Sequence, residues 1–231
     1  MLLKELRTAV LEANLELVKR GLVLYTFGNA SGIDREQGLI VIKPSGVDYD
    51  DLKPEHMVVT DLHGKIVDGN LKPSSDLDTH TLLYREFLTI GAVVHTHSEY
   101  ATSFAQAGLA IPALGTTHAD YFHGPVPVTA VLTDEAIAGR YVHETGAAIV
   151  ERFKGIDPLA IPAVLVAGHA PFCWGRNPHE AAHNAVVLEA VARMAYRTLT
   201  LRANCEGVSQ TLLDRHYFRK HGTAATYGQS S

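Results

Sequence analysis

No stretch of this chain is apolar for long enough to cross a bilayer; a spanning helix needs about 20 apolar residues. Met1-Leu2-Leu3-Lys4-Glu5-Leu6-Arg7 mixes charge with apolar side chains from the start. The uninterrupted apolar core of a secretory signal is therefore not expected there. Basic charge is scarce too: 20 Lys and Arg against 25 Asp and Glu leave a net charge of −5. Such a chain has no global positive field to hold nucleic acid, and an anionic substrate would need a local site. Only two cysteines occur, Cys173 and Cys205. One possible pair is no disulfide framework, and two free thiols in a reducing cytoplasm is the favoured reading. Interdomain linkers, internal repeats and low-complexity segments are missing as well, so residues 1–231 read as a single domain.

What is present is an apolar fraction of 46% against 19% charged residues, enough for a real core. Helical spacing of Leu3, Leu6, Val10, Leu11, Leu15 and Val18, ended by Gly21, predicts a first helix over about 3–20. Leu22–Phe27 reads as a strand followed by a polar loop, 28–32, and Leu39–Ile42 as a short strand. Met57–Asp61 and Lys65–Val67 flank His63-Gly64 as a hairpin. A helix over about 76–88 is expected to start at Ser75, with Asp78 in a capping-box position. Ile90–His95 reads as a buried strand, and Ser98 as the cap of a helix ending near Gly108. Thr133 opens a helix over about 134–153, and Pro162–Val166 is a strand. Asn177-Pro178-His179-Glu180 combines an N-cap, a first-turn Pro and an N3 Glu, a strong start for a helix running to about Arg202. Strands and helices thus mix without strict βαβ alternation, which gives an α/β or α+β sheet with covering helices.

Thirteen histidines must be sorted by spacing. His95-Thr96-His97 ends an apolar strand, where side chains at i and i+2 share a face and both imidazoles can reach one metal ion. His169 follows a second apolar strand, and Asp76 is the best-placed carboxylate to complete an open zinc centre. An isolated H-x-H pattern is also common at strand ends with no metal. His179-Glu180-Ala181-Ala182-His183 matches the H-E-x-x-H pattern of zinc proteases. Glu180, however, is already explained as a capping residue, so the match reads as chance.

Seven segments taken together resemble the class II aldolase and L-ribulose-5-phosphate 4-epimerase family. They are Gly28-Asn29-Ala30-Ser31, Lys43-Pro44-Ser45-Gly46-Val47-Asp48-Tyr49, Lys72-Pro73-Ser74-Ser75-Asp76, Val94-His95-Thr96-His97-Ser98, Gly115-Thr116-Thr117-His118-Ala119-Asp120-Tyr121-Phe122, His169-Ala170-Pro171-Phe172 and Tyr227-Gly228-Gln229. The resemblance implies a central, largely antiparallel sheet covered by helices on both sides. It implies a divalent metal, Zn2+ or alternatively Mn2+ or Co2+, with His95, His97 and His169 as ligands and Asp76 at the acidic position. That position is typically Glu in the aldolases proper and Asp in the epimerases. The Ala167-Gly168-His169 stretch departs from the epimerases' usual His-Ser-His, which leaves the contacts behind the third ligand open.

The implied reaction inverts C4 of a ketopentose phosphate, an isomerase activity. Its C4 proton is not acidic, so a retro-aldol route is expected, with one proton-transfer group for each face of the aldehyde. By resemblance these are Asp120 and Tyr227, the tail being contributed by an adjacent subunit of a homotetramer. Gly28, Asn29, Ser45, Gly46, Ser74 and Ser75 match the substrate-phosphate positions, and Lys43 adds charge. Ordinary turn chemistry would also account for Gly46 and Ser75, and an Asx turn for Asp120. Arg219, Lys220 and His221 are set aside as helpers. The rival activity is an aldolase of the fuculose or rhamnulose phosphate type.

Overall fold

The computed structural model describes residues 1–221 and 225. Seven strands form one sheet: β1 (Asn29–Asp34), β2 (Leu39–Ile42), β3 (Val58–Asp61), β4 (Ile66–Asp68), β5 (Ala92–His95), β6 (Ala163–Leu165) and β7 (Pro171–Gly175). Their order is β4-β3-β2-β1-β5-β7-β6, and every neighbouring pair is antiparallel. The helices are α1 (Lys4–Lys19), α2 (Leu77–Glu86), α3 (Glu99–Gln106), α4 (Thr116–Ala119), α5 (Asp134–Ala138), α6 (Tyr141–Arg152), α7 (Pro178–Leu201) and α8 (Gln210–His221). None of them is long and apolar enough to cross a membrane.

Alternation along the strands builds two cores. Val41, Ala92, Val94, Leu165 and Cys173 face one way and pack with Val10, Leu17 and Leu188 of α1 and α7. Ile40, Val93, Val164, Phe172 and Trp174 face the other way, onto Leu83, Tyr84 and Ile149 of α2 and α6. Period-two alternation with both faces buried is what a helix-covered sheet requires. The expected sheet, antiparallel and covered on both sides, is the observed one.

Several local expectations are corrected. Leu22–Phe27 is not a strand: the chain turns at Tyr25, whose φ is 51°. The strand is instead the polar segment expected as a loop, β1. Small residues suit it because α1 and α7 press on its centre. A Cβ on Gly32 would lie 2.8 Å from Leu6 and 3.1 Å from both Val10 and Pro178. The peptide of Ala30 is gripped by the Asn14 amide, which accepts from its N–H at 2.9 Å and donates to its carbonyl at 3.3 Å. Helix α2 is capped at Asp76 and not at Ser75, and its cap makes no side-chain hydrogen bond to the helix. The helix predicted over about 134–153 is broken after α5 at Gly139. Strand β7 was not expected; its run Pro171-Phe172-Cys173-Trp174-Gly175 is buried on both faces and too short to show a period. The Asn177 cap is as expected, its Oδ1 accepting from the Glu180 N–H at 2.9 Å.

Candidate active site

Antiparallel pairing brings the start of β1, the end of β2, the end of β5 and the start of β7 to one edge of the sheet. In that register His95 lies opposite Asn29 on one side and Phe172 on the other. The chain leading into α2 joins them, since Ser45 N–H donates to Lys72 O at 2.9 Å and Ser74 N–H to Lys43 O at 3.0 Å. A cavity of about 440 Å3 opens there. Gly28, Asn29, Lys43, Ser45, Gly46, Ser74, Ser75, Asp76, His95, His97 and His169 all line it. Thr26, Phe27 and Pro44 line it too. Sequence reasoning missed them because an apolar or lone hydroxyl side chain beside a loop carries no chemical signal.

His95, His97 and His169 place one ligand atom each within 4.8 Å of the others, the one such group of three among the described residues. His95 is fixed from behind. Its Nδ1–H donates to Pro171 O at 2.9 Å, and its ring stacks on Phe172 at 4.2 Å. That leaves Nε2 with its lone pair facing the cavity, as a ligand needs. The His95 and His97 Nε2 atoms are 3.1 Å apart. Two nitrogens on one tetrahedral zinc sit about 3.3 Å apart, given Zn–N of about 2.0–2.1 Å. The donor set therefore fits a divalent metal, and neutral imidazole is the form that ligates. Burial supplies it: it pushes His95 down to about 3 and lowers His97 and His169 as well.

Asp76 joins this group from the start of α2, its Oδ2 accepting from Asn29 Nδ2 at 2.6 Å. Burial pushes its carboxyl up, but His95, His80 and the Asn29 bond outweigh that and hold it below the usual range. Gly28 is required by close approach. Its φ is +70°, and a Cβ there would lie 2.8 Å from the His95 carbonyl oxygen. Lys43 is almost fully buried. Its Nζ donates to Val47 O at 3.2 Å and lies 4.6 Å from the Tyr49 ring centroid, which sets its charge behind the Ser45-Gly46 turn.

Asp120 is not among the residues lining this cavity. It ends α4 and is clamped by α8. Arg219 donates to both carboxylate oxygens at 3.0 Å, His216 lies 3.0 Å from Oδ1, and Lys220 Nζ lies 3.6 Å from Oδ2. Burial raises its pKa, but Arg219, His216 and Lys220 outweigh it and hold the carboxyl low. His221 donates to the Asp120 backbone oxygen at 2.9 Å. Tyr227 lies outside the described residues. His179 and His183 lie in a separate groove between α1 and α7, beside Glu12, Glu16 and Arg20.

Residues 8–196 match the family described as Class II Aldolase and Adducin N-terminal domain. An L-ribulose-5-phosphate 4-epimerase, UlaF, of Salmonella paratyphi A is 49% identical over 227 residues, 98% of this chain and 100% of that protein. Among solved structures, an L-fuculose 1-phosphate aldolase superposes with a TM-score of 0.77 at 25% identity, covering 92% of this chain and 94% of that one. The L-fuculose-1-phosphate aldolase of Thermus thermophilus shares the fold, with a TM-score of 0.69 at 23% identity over 88% of this chain and 100% of that one.

Proposed function

The chain belongs to the class II aldolase family, and from that premise we propose that it is a metal-dependent L-ribulose-5-phosphate 4-epimerase. One observation carries the reading. Three imidazoles and the Asp76 carboxylate converge in a cavity that also contains two small hydroxyl-bearing turns. Near-half identity to a protein of that name, over essentially the full length of both, supports it. The aldolase alternative is disfavoured by Asp76, which stands where the resemblance places Glu in the aldolases.

In this reading His95, His97 and His169 hold Zn2+, with Asp76 beside them. The ion, when bound, supplies Lewis acidity to the ketose carbonyl and its neighbouring hydroxyl. Ser45, Gly46, Ser74 and Ser75 receive the phosphate, helped by the N-terminal end of α2, where backbone N–H groups favour an anion. Asn29 and Gly28 bound the space between phosphate and metal, and Lys43 biases the Ser45-Gly46 turn from behind. A base takes the C4 hydroxyl proton, the C3–C4 electron pair moves onto the three-carbon fragment as an enediolate, and glycolaldehyde phosphate is left. The aldehyde turns its other face, the C3–C4 bond re-forms, and a second group returns a proton to the C4 oxygen. Asp120 and Tyr227 are the two groups, delivered from a neighbouring subunit of a homotetramer. That assignment accounts for a charged, rigidly held carboxylate lying outside its own chain's cavity. A cytoplasmic setting agrees with the free thiols of Cys173 and Cys205.

The test is turnover of L-ribulose 5-phosphate followed through D-xylulose 5-phosphate. Activity that a chelator stops, that Zn2+ restores and that Asp120→Asn slows severely is expected. Release of glycolaldehyde phosphate without xylulose product would move the assignment to an aldolase.

A further inference from the structure

One buried tyrosine ties together two of the loops that line the cavity without lining it. Tyr49 follows the Lys43-Pro44-Ser45-Gly46 turn, opens a short helical turn (Tyr49–Asp51) and is 5% exposed. It is not among the residues lining the cavity. Its hydroxyl reaches across to the chain before β1. There the single phenol proton is shared between two successive carbonyl oxygens, Phe27 O at 2.9 Å and Gly28 O at 3.1 Å. The Tyr49 ring also faces the Lys43 ammonium, with Nζ 4.6 Å from the ring centroid. Burial raises the pKa of the phenol, so its proton stays in place as a donor.

Holding those carbonyls decides where a donor goes. A peptide unit is planar and trans, so its N–H points opposite to its C=O. With the Phe27 oxygen held by Tyr49, the Gly28 N–H is sent the other way. Gly28 lines the cavity, and among the described residues its N–H has no hydrogen-bond partner. The turn is fixed from its other end too, by the Phe27 N–H donating to Leu24 O at 2.9 Å. Gly28 itself is left-handed, with φ at +70°. Backbone N–H groups at such turns make concavities that receive anions. Lys43 brings positive charge to the same wall, and its backbone oxygen accepts from the Ser74 N–H at 3.0 Å.

We propose that Tyr49 is a positioning residue for substrate binding: its hydroxyl turns the peptide joining Phe27 to Gly28 so that the Gly28 N–H meets a phosphate oxygen, and its ring holds the Lys43 ammonium behind the Ser45-Gly46 turn. The inference rests on the phosphate-site reading above. Tyr49 acts through these groups and touches neither the phosphate nor the metal. Its loss weakens a contact made equally in the ground state and the transition state, which raises KM and leaves kcat.

The experiment compares the full Zn2+-loaded chain with Tyr49→Phe, which removes only the hydroxyl, and Tyr49→Leu, which also removes the ring. Binding of inorganic phosphate is followed by phosphorus NMR, beside KM and kcat for L-ribulose 5-phosphate and beside Zn2+ affinity. Tyr49→Phe is expected to weaken phosphate binding and raise KM by about 3- to 10-fold, the worth of one hydrogen bond. Its kcat and Zn2+ affinity are expected to stay near wild type, and Tyr49→Leu is expected to lose more phosphate affinity. A Tyr49→Phe protein with wild-type phosphate affinity and KM would overturn this inference alone. So would one whose kcat and Zn2+ affinity fall together with its phosphate affinity, the mark of a merely structural strut. A wild-type chain that binds phosphate more tightly than Tyr49→Phe but converts no ketose phosphate would overturn the epimerase reading and uphold this inference. Amide spectra of the unmutated protein with nitrogen-15 glycine make the test independent of any variant's folding. The Gly28 N–H resonance is expected to shift as phosphate is added, and an unmoved resonance would sink the proposal.

Discussion

His95 is held from behind in the cavity: 2% exposed, stacked on Phe172 and tied through Nδ1 to Pro171. His97 shares the site but is solvent-exposed. The two should therefore fail differently. His97→Ala should abolish tight metal binding while leaving the melting temperature of the metal-free chain nearly unchanged, as differential scanning calorimetry and metal analysis can check. Phe172→Ala should cost about 3–5 kcal/mol in chemical denaturation and weaken metal binding as well, because it removes the plane that orients His95. Acid sensitivity follows from His80 and His95, whose pKa values burial pushes from 6.5 down to about 4 and about 3. The unfolded chain takes up those protons first, so stability is complete above about pH 6.5 and falls as pH drops toward about 4 and then about 3. Denaturation midpoints of the metal-free protein should show this loss, and His80→Leu should reduce it while leaving the part that His95 contributes. At this scale the family resemblance singled out all three ligand candidates, and His95 and His97 were also legible from a strand-end H-x-H, whose geometry suits a metal. His80 was not, since a histidine on the buried face of an amphipathic helix looks like any core residue.

Elements decide how those side chains meet. The close approach of the chain before β1 to the end of β5 depends on Gly28 having no Cβ. Gly28→Ala should therefore displace the His95 carbonyl and lower both stability, by roughly 1–3 kcal/mol, and Zn2+ affinity. Loss of stability with unchanged affinity would separate the fold's need for this glycine from the site's. Helices α1, α3 and α7 could be read from periodicity and end signals, as could the hairpin of β3 and β4. Strand β1 could not: Asn29-Ala30-Ser31-Gly32 has turn-like composition and becomes a strand only because α1 and α7 leave room for nothing larger than Gly32. The break between α5 and α6 at Gly139 was likewise hidden by a continuous apolar pattern.

For the whole molecule, the sheet edge gathers one half of the proposed chemistry, and α4 with α8 holds the other half elsewhere. The motifs made Asp120 recognisable, but its place could not be read from spacing. Its position is set by contacts with a helix about 100 residues further along the chain. If sites are shared, two inactive variants should complement each other. Co-expressed Asp120→Asn and His97→Ala chains should form mixed assemblies with measurable activity, whereas separately purified and unmixed proteins should have none. Light scattering should give about four times the 25.0 kDa chain mass. The central claim, epimerisation at C4 by bond cleavage in the His-lined cavity, is tested most directly by proton NMR of L-ribulose 5-phosphate incubated with the Zn2+-loaded protein in D2O. The account predicts D-xylulose 5-phosphate that keeps its original hydrogen at C4, because the C4–H bond is never broken. No conversion, or deuterium at C4, would contradict it.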